Sequence, residues 1–535
     1  MNLPQSVSEV LRDHVTLECE SIDRMYLNVY VPQLQHVGGV VGYLHAHHGQ
    51  RFASTVAVAP MTEKFVNAID RFASDHDIDM LQFAKWQRKD DVTQQYLARF
   101  KGTEGVLYIG KAQEKAQVVR TERRRNPQTG VTYPWIVSST AMVNHYYFYC
   151  VDEDFGPFFL KFCSYFPYNA KLCLNGNEYV KCQLRRRGIE FEALDNGVRS
   201  CADPKALQQL CDRLSAAKID GLLRKWLRRL PHPFPPADRR AGCRYDISIL
   251  QAEFCLTQVL DRPVCGRVFF EDVIRENLDI GRPDQVQLIF NRRVTRRTPG
   301  RFRTRVITDG VTPSLHIDYK RSRIKQYHKE GQALRTETTI NDTRDFAIGR
   351  RLHNLAALRQ VGFTANRRLL HVQTISHDCA LGEDDLQRHQ RAMEVNGQRA
   401  SALHFADTRV QALMQAMLLF VLLPNGFSHR DLRQQLAPLL GIDPSLLRPG
   451  RMTYDLRRLR LHGLIERQPG SHRYLITDDG IRIAMFYCRT YNRILRPGLS
   501  MLAPNGCTAR SKLGRAFAAA NEAIHVHCDD AKLAA

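Results

Sequence analysis

The stretch FSHRDLRQQLAPLLG (residues 427–441), RMTYDLRRLRLHGLI (451–465) and ERQPGSHRYLIT (466–477) decides the fold expected near the C-terminus. Its first two pieces have the spacing of apolar residues that is typical of amphipathic helices. In the second piece, residues at spacings of four, three and four fall on one side of the helix. They are Met452, Leu456, Leu459 and Gly463. We therefore predict two successive helices, the second with one buried side.

The opposite side of the second helix is polar and basic. It carries Thr453, Tyr454, Arg457 and Arg458, with Leu461 as an apolar exception. The major groove of B-DNA admits a helix, and an arginine can donate two hydrogen bonds to guanine O6 and N7. This side of the helix is therefore predicted to face nucleic acid.

Two short strands are predicted after this helix, joined by the turn Gln468-Pro469-Gly470-Ser471. Arg467, His472 and Arg473 lie at this hairpin, where they would meet phosphate groups. The order helix, helix, Gly-Leu-Ile, hairpin resembles the winged helix-turn-helix DNA-binding modules of bacterial regulators. The resemblance implies DNA or RNA binding, although such a module can also serve dimerisation or other protein contacts.

The composition favours a polyanionic partner. The chain has 77 Lys and Arg against 55 Asp and Glu, a formal charge of +22 and a pI near 9.6. Such an excess attracts nucleic acid and gains free energy from counterion release. Basic runs recur at residues 120–125, 185–187, 292–305 and 350–351. A single run can be a solvated surface, but several separate runs favour a nucleic-acid partner.

The length of 535 residues suggests about three domains. A hydrophobic content of 44% is sufficient for packed cores. We predict a multidomain α+β or α/β protein, in which a mixed-sheet body precedes a C-terminal winged-helix domain. The expected regions are an N-terminal α/β domain at 1–130, an aromatic-rich α+β domain at 131–235, a basic α+β domain at 236–380, a linker at 381–397, the winged helix at 405–497 and a tail at 498–535.

Periodicity and turn residues predict the main elements. Strands are expected at 24–32, 40–44, 78–83, 105–110, 145–151, 158–165, 189–195, 285–290, 301–307 and 314–319, and on both sides of the turn at 329–331. Helices are expected at 61–76, 90–100, 177–187, 246–260, 344–370, 408–423, 480–495 and 511–526.

Neither a secretory signal nor a membrane span is indicated. The longest apolar run, residues 412–423, is shorter than the ~18 residues that a spanning helix needs and contains Gln415. The 14 cysteines form no CxxC pair, so buried free thiols are the simplest interpretation. These features predict a cytoplasmic protein without a membrane partner.

Acidic residues at predicted strand ends provide candidates for a catalytic metal site. Asp152, Asp154 and Asp195, with Glu253 from the predicted helix at 246–260, could together hold Mg²⁺ or Mn²⁺. The Asp-Asn-Gly at 195–197 resembles the second acidic position of RNase H-like transposases. Both acidic segments are also ordinary turn sequences, which is the simpler interpretation.

The basic region at 236–380 contains a candidate surface for a phosphate backbone. Strand alternation in residues 323–341 places Arg323, Lys325, Lys329 and Arg335 on one side of a sheet. The segment resembles the Tyr-x-Lys and Leu-Arg-x-Glu pattern of phage and plasmid replication initiators. That resemblance implies a nucleophilic role for Tyr327, although a structural sheet tyrosine is the simpler interpretation.

His45-Ala46-His47-His48 is a further candidate for metal binding. A His-x-His pair holds a divalent metal in Rep and relaxase nucleases, where a third ligand and a tyrosine accompany it. No third ligand can be identified from spacing here, so a histidine-containing loop after a strand is the simpler interpretation.

The whole chain resembles a broadly distributed family of uncharacterised bacterial proteins, and that resemblance implies no activity. The leading hypothesis is a cytoplasmic nucleic-acid-binding protein, with DNA favoured over RNA. The alternative is a metal-dependent nuclease, transposase or replication initiator of a mobile element, which would use Mg²⁺ or Mn²⁺. A third possibility is a regulator that senses a small molecule, for which no residue argues.

Overall fold

A computed structural model of the chain describes residues 7–83, 87–266, 269, 286–290, 303–309, 312–329, 332–377, 381–495 and 512–530. Within these residues the fold is mixed α and β, with one large sheet. None of the helices in these ranges is both long enough and apolar enough to cross a bilayer.

The α-helices are distributed along the whole described chain. They are α1 Val7–Asp13, α2 Val37–Gly42, α3 Thr55–Asp75, α4 Lys89–Arg99, α5 Gly176–Arg186, α6 Pro204–Asp212, α7 Ala216–Leu227, α8 Pro236–Arg240, α9 Leu355–His377, α10 Glu383–Gln390, α11 Thr408–Phe420, α12 His429–Leu439, α13 Pro449–Leu461, α14 Asp478–Arg489 and α15 Lys512–Asp530. Tyr43–His47 and Thr490–Leu495 form π turns.

The strands lie between these helices, either singly or in runs. They are β1 Val15–Tyr30, β2 Met80–Gln82, β3 Gly105–Arg125, β4 Thr132–Asp152, β5 Gly156–Cys163, β6 Ala170–Asn175, β7 Phe191–Leu194, β8 Gly197–Cys201, β9 Asp246–Leu260, β10 Val286–Phe290, β11 Arg303–Asp309, β12 Thr312–Tyr319, β13 Ser322–Lys329, β14 Ala333–Ile340, β15 Met393–Val395, β16 Gln398–Ala400, β17 Phe427–Ser428, β18 Ile465–Arg467 and β19 Arg473–Ile476.

Twelve strands form one sheet in the order β10-β11-β12-β13-β14-β9-β1-β6-β5-β4-β3-β2. All its pairs are antiparallel except β10–β11 and β2–β3. β1 lies between β9 and β6, so it joins the two halves of the sheet. The sheet therefore takes strands from all three of the regions that were expected as separate domains before residue 380.

One face of the sheet is covered by helices. α3 packs Phe65 against Phe162 of β5, and α9 packs Phe363 against Phe254 of β9. Asn366 of α9 also accepts a hydrogen bond from Thr338 of β14. A second hydrophobic core joins α9 and the last strands of the sheet to α11–α14. On the opposite face α4 packs against β3, where the Tyr96 ring lies 4.7 Å from the ring of Tyr108.

Most of the predicted elements are present, but three predictions are wrong. Residues 246–260 form strand β9, not a helix, because their mixture of apolar and polar residues has no period that separates a strand from a helix. Residues 40–44 lie in α2 and the π turn that follows it, not in a strand. The expected linker at 381–397 contains α10 and the hairpin β15–β16.

A local signal for the β15–β16 hairpin exists in the sequence. Asn396 and Gly397 occupy the turn with φ values of 50° and 71°, in the left-handed region where asparagine and glycine are favoured. Within the expected tail, residues 512–530 form α15. The predicted basic run at 292–305 lies outside the described residues except for its last three positions.

Candidate nucleic-acid interface

The C-terminal unit, residues 427–476, contains two helices followed by a hairpin. α12 begins with a capping box in which Ser428 and Asp431 each bind the other's backbone N–H. α13 begins at Pro449, and Gly463 follows its end with φ of 74°. Strands β17, β19 and β18 form a three-stranded sheet beside these helices. Local capping and turn signals therefore set the limits of each element.

The inner side of α13 is apolar, as predicted. Met452, Leu456 and Leu459 are buried in the core. The same side also buries Asp455, whose carboxylate pairs with the Arg409 guanidinium of α11 at 2.5 Å. This ion pair ties α13 to α11, and it was not apparent from the sequence because its members are 46 positions apart.

The outer side of α13 is exposed and basic. Its exposed positions follow helical spacing: Gly450, Thr453, Arg457 and Arg460, with Arg451 beside them. Within the described ranges none of these three arginines forms an ion pair with a carboxylate, whereas Arg409 and Arg473 do. Arg460 was missed from the sequence, although its spacing of three from Arg457 could have identified it. The arginines on this side are therefore free to meet an anionic ligand.

The sequence predicted that Arg458 lies on this basic face, and that prediction is wrong. Its side chain is buried, and its Nε donates to the Ser401 carbonyl at 3.1 Å. Nη2 of the same guanidinium donates to the Ala402 carbonyl. The chain that leaves β16 packs along the flank of α13, so Arg458 holds this segment in place and does not face solvent.

Tyr454 and Arg457 also contact the segment around β16. The Tyr454 hydroxyl hydrogen-bonds with Ser401 Oγ at 2.7 Å, and Arg457 Nη2 donates to the Arg399 carbonyl at 2.9 Å. Tyr454 is half-buried by this packing, whereas Arg457 remains exposed. The β15–β16 hairpin therefore borders the outer side of α13, with Arg399 exposed on it.

The predicted roles of the β18–β19 residues divide into two. Arg467 and His472 are exposed, and Arg467 Nη2 hydrogen-bonds with His472 Nδ1 at 3.1 Å. Arg473 is half-buried, and its guanidinium donates to the carbonyls of Asn425 and Gly426 at 2.6 Å. Arg473 therefore anchors the hairpin to the loop before α12, whereas Arg467 and His472 remain accessible to a ligand.

A second basic surface lies on the face of the large sheet opposite α3 and α9. Arg323, Lys325, Tyr327 and Lys329 alternate along β13 and share one side of the sheet, as the sequence predicted, and they are half-buried. The side chain of Lys325 lies 3.9 Å from the centre of the Tyr327 ring. Burial lowers the pKa of the Lys325 ammonium. This strand therefore presents a row of cationic and aromatic groups.

Arg335 faces the same side of the sheet but is completely buried. It pairs with Asp23 at 2.7 Å and with Glu337 at 2.6 Å, and it also donates to the Asn196 carbonyl. A guanidinium that is completely buried and already paired with two carboxylates is not accessible to a phosphate. The prediction that Arg335 tracks a backbone is therefore not supported by its surroundings.

The polar face continues across the middle of the sheet. Tyr26 of β1 and Lys171 of β6 are half-buried, and the Lys171 ammonium lies 5.2 Å from the centre of the Tyr26 ring. Lys161 of β5 lies 5.0 Å from the Tyr147 ring but is itself buried. Aromatic rings and cations on one sheet face are suited to bases and phosphates of a single strand.

Glu253 lies on this face, opposite Thr339 of β14. Its carboxyl pKa is raised to about 7, first because of burial and then because of the neighbouring Asp23. The protonation of Glu253 therefore changes near neutral pH, and with it the net charge of the sheet face.

The four carboxylates predicted to share a metal are not brought together. Asp152 accepts hydrogen bonds from Lys225 and Trp226, and its other oxygen caps the turn at 154–155. Asp154 pairs with Arg186, the Asp195 side chain is 83% exposed, and Glu253 is on β9. The carboxylate, histidine and cysteine clusters found among the described residues contain none of the four.

The aromatic residues of β4 and the following hairpin mainly form cores. Tyr146, Phe148, Phe166 and Tyr168 belong to the main core, and Tyr147 and Tyr149 belong to a smaller cluster. Tyr165 is exposed. Most of these rings therefore pack in hydrophobic cores.

No protein-family model, no curated protein and no solved structure matches this chain.

Proposed function

We propose that this chain is a cytoplasmic nucleic-acid-binding protein that holds duplex DNA against α13, in the manner of a winged helix-turn-helix module. The observation that carries the proposal is the outer side of α13, where Arg451, Arg457 and Arg460 are exposed without carboxylate partners in the described chain. A helix with this surface fits the major groove, and its guanidinium groups match guanine edges and phosphates.

The two hairpins beside α13 support the same proposal. Exposed Arg467 and His472 of β18–β19 and exposed Arg399 of β16 place further cationic or polar groups next to the helix. Contacts of this kind to phosphates fix the register of a helix on the duplex. α13 would then read bases while the hairpins contact the backbone.

The half-buried face of the large sheet provides a second contact surface in this proposal. Arg323 and Lys325 would bind phosphates, and Tyr26 and Tyr327 would offer aromatic rings to unpaired bases. Such contacts depend little on sequence. The sheet would therefore contribute affinity, and α13 would contribute sequence preference.

Selection of bound duplexes from a random-sequence DNA library tests the proposal. We expect an enriched sequence motif, and we expect that duplex DNA of this sequence competes better than RNA of the same sequence. If no motif is enriched and RNA competes equally well, base reading by α13 is refuted. Alanine substitution of Arg12, which is exposed and pairs with Asp13, is the control and should leave the motif unchanged.

A further inference from the structure

A cluster of two histidines and an aspartate lies apart from both basic surfaces. Nε2 of His47 is 2.7 Å from Oδ1 of Asp238, and Nε2 of His48 is 3.5 Å from the same oxygen. The three candidate ligand atoms all lie within 4.8 Å of one another. The two histidines are thus brought to an aspartate that lies 190 and 191 positions further along the chain.

The local backbone explains why two consecutive histidines face one carboxylate. α2 widens into the π turn Tyr43–His47, and His48 follows with φ of −104° as the helix ends. Such π turns are often found at functional sites. Asp238 is supplied by the short helix α8 and is only 2% exposed.

Tyr43 fixes the orientation of the aspartate. Its hydroxyl donates a hydrogen bond to Oδ2 of Asp238 at 2.7 Å, which leaves Oδ1 directed at the histidines. Outer hydrogen bonds of this kind commonly orient the ligands of metal sites.

His48 distinguishes a metal site from an ordinary ion pair. The contact between His47 and Asp238 would be satisfied by packing alone. Nε2 of His48, however, is buried and has no hydrogen-bond partner among the residues that the structure describes, which is costly unless another group binds it. That nitrogen lies where a cation shared with Asp238 and His47 would meet it.

We propose that His47, His48 and Asp238 bind a divalent transition-metal ion of the zinc type. Imidazole nitrogen and carboxylate oxygen are preferred ligands of these ions, at metal–ligand distances of about 2.0–2.2 Å. Tetrahedral ligands at those distances are about 3.3 Å apart, close to the separation of His48 and Asp238. His47 and Asp238 would move apart slightly as the ion replaces their hydrogen bond.

Three protein ligands leave a fourth coordination position for water or an anion. One carboxylate only half neutralises a divalent ion, so the loaded site would carry net positive charge and favour an anionic fourth ligand. His45, on the same π turn, is exposed and is not part of the cluster. It therefore provides a matched control.

Titration calorimetry of the chelator-treated full-length protein with Zn²⁺ tests the proposal. We expect that His48→Ala and Asp238→Asn each lose one equivalent of bound Zn²⁺ or weaken it more than tenfold, whereas His45→Ala binds as the unmodified protein does. Tyr43→Phe should weaken binding about tenfold, as is usual for an outer hydrogen bond. Other histidine and cysteine sites contribute equally to every variant and cancel in the comparison.

Thermal unfolding shows whether each variant is folded before its titration is interpreted. Asp238→Asn retains the shape of the side chain and an acceptor for Tyr43, so it serves if His48→Ala is unstable. Zn²⁺ should raise the Tm of the unmodified protein and of His45→Ala, but not that of Asp238→Asn. Equal Zn²⁺ binding by all variants, or no binding by the unmodified protein, would overturn the proposal and leave a packing contact only.

Discussion

Replacing Arg457 and Arg460 together by alanine should remove much of the proposed DNA recognition. Both side chains are exposed on the outer side of α13 and neither pairs with a carboxylate in the described chain. Arg457 makes one hydrogen bond, to the Arg399 carbonyl, so its loss should cost only about 1 kcal/mol of folding stability. The double substitution therefore tests binding without unfolding the protein.

The expected magnitude follows from the contacts that two arginines can make. A guanidinium bound to a guanine edge contributes about 1–3 kcal/mol of discrimination. Two such groups at the lower limit give about 2 kcal/mol, which is about a 30-fold loss of affinity for the preferred sequence. If the two arginines contact phosphates instead, the negative slope of log K against log salt concentration should become shallower by about 0.9 for each arginine removed.

Fluorescence anisotropy with the preferred duplex, measured at several salt concentrations, separates these outcomes. The matched control is Arg12→Ala with Arg199→Ala, which removes the same charge from exposed surface ion pairs with Asp13 and Glu192. The control should change affinity little. Equal losses in both double variants would refute the role of α13, because net charge alone would then explain binding.

Three further predictions follow from the placement of single residues. Arg458→Ala should lower the free energy of unfolding by about 2 kcal/mol, since a charged hydrogen-bonding group is lost, while the folded protein binds DNA with little change; urea denaturation and anisotropy check the two parts. Arg323→Ala with Lys325→Ala should weaken binding to all sequences equally, and a sequence-selective loss in anisotropy would contradict this. Glu253 has a folded pKa of about 7, above its usual 4.5, so the protein should lose stability as pH rises from 4.5 through 7. Glu253→Gln should abolish this loss and gain less than about 3 kcal/mol at pH 8, as measured by urea denaturation at pH 5 and pH 8; unchanged pH dependence would show that another group is responsible.

The elements of the C-terminal unit could be predicted because their signals are local. Capping by Ser428, Pro449 at a helix start and Gly463 at a helix end are all encoded within a few residues of the element they limit. The burial of Arg458 could not be predicted in the same way, since it depends on a segment 56 residues earlier in the chain. A helical period identifies a face but does not show what packs beside it.

The sheet shows the same division between local and distant information. Alternation along β13 correctly placed Arg323, Lys325 and Tyr327 on one side. The ion pair that buries Arg335 depends on Asp23, which lies 312 positions away. β9 was mistaken for a helix because its apolar residues have no clear period. In the candidate metal cluster, likewise, Asp238 could not be connected to His47 from spacing.

The central claim is that exposed cationic groups on folded surfaces bind a polyphosphate strand. Nitrocellulose filter binding of labelled duplex DNA at about 50 mM salt tests it most directly, because the electrostatic part of binding is strong there. We predict retention of the duplex that decreases steeply as salt is raised. Absence of retention for duplex DNA, single-stranded DNA and RNA at this salt concentration would contradict the claim.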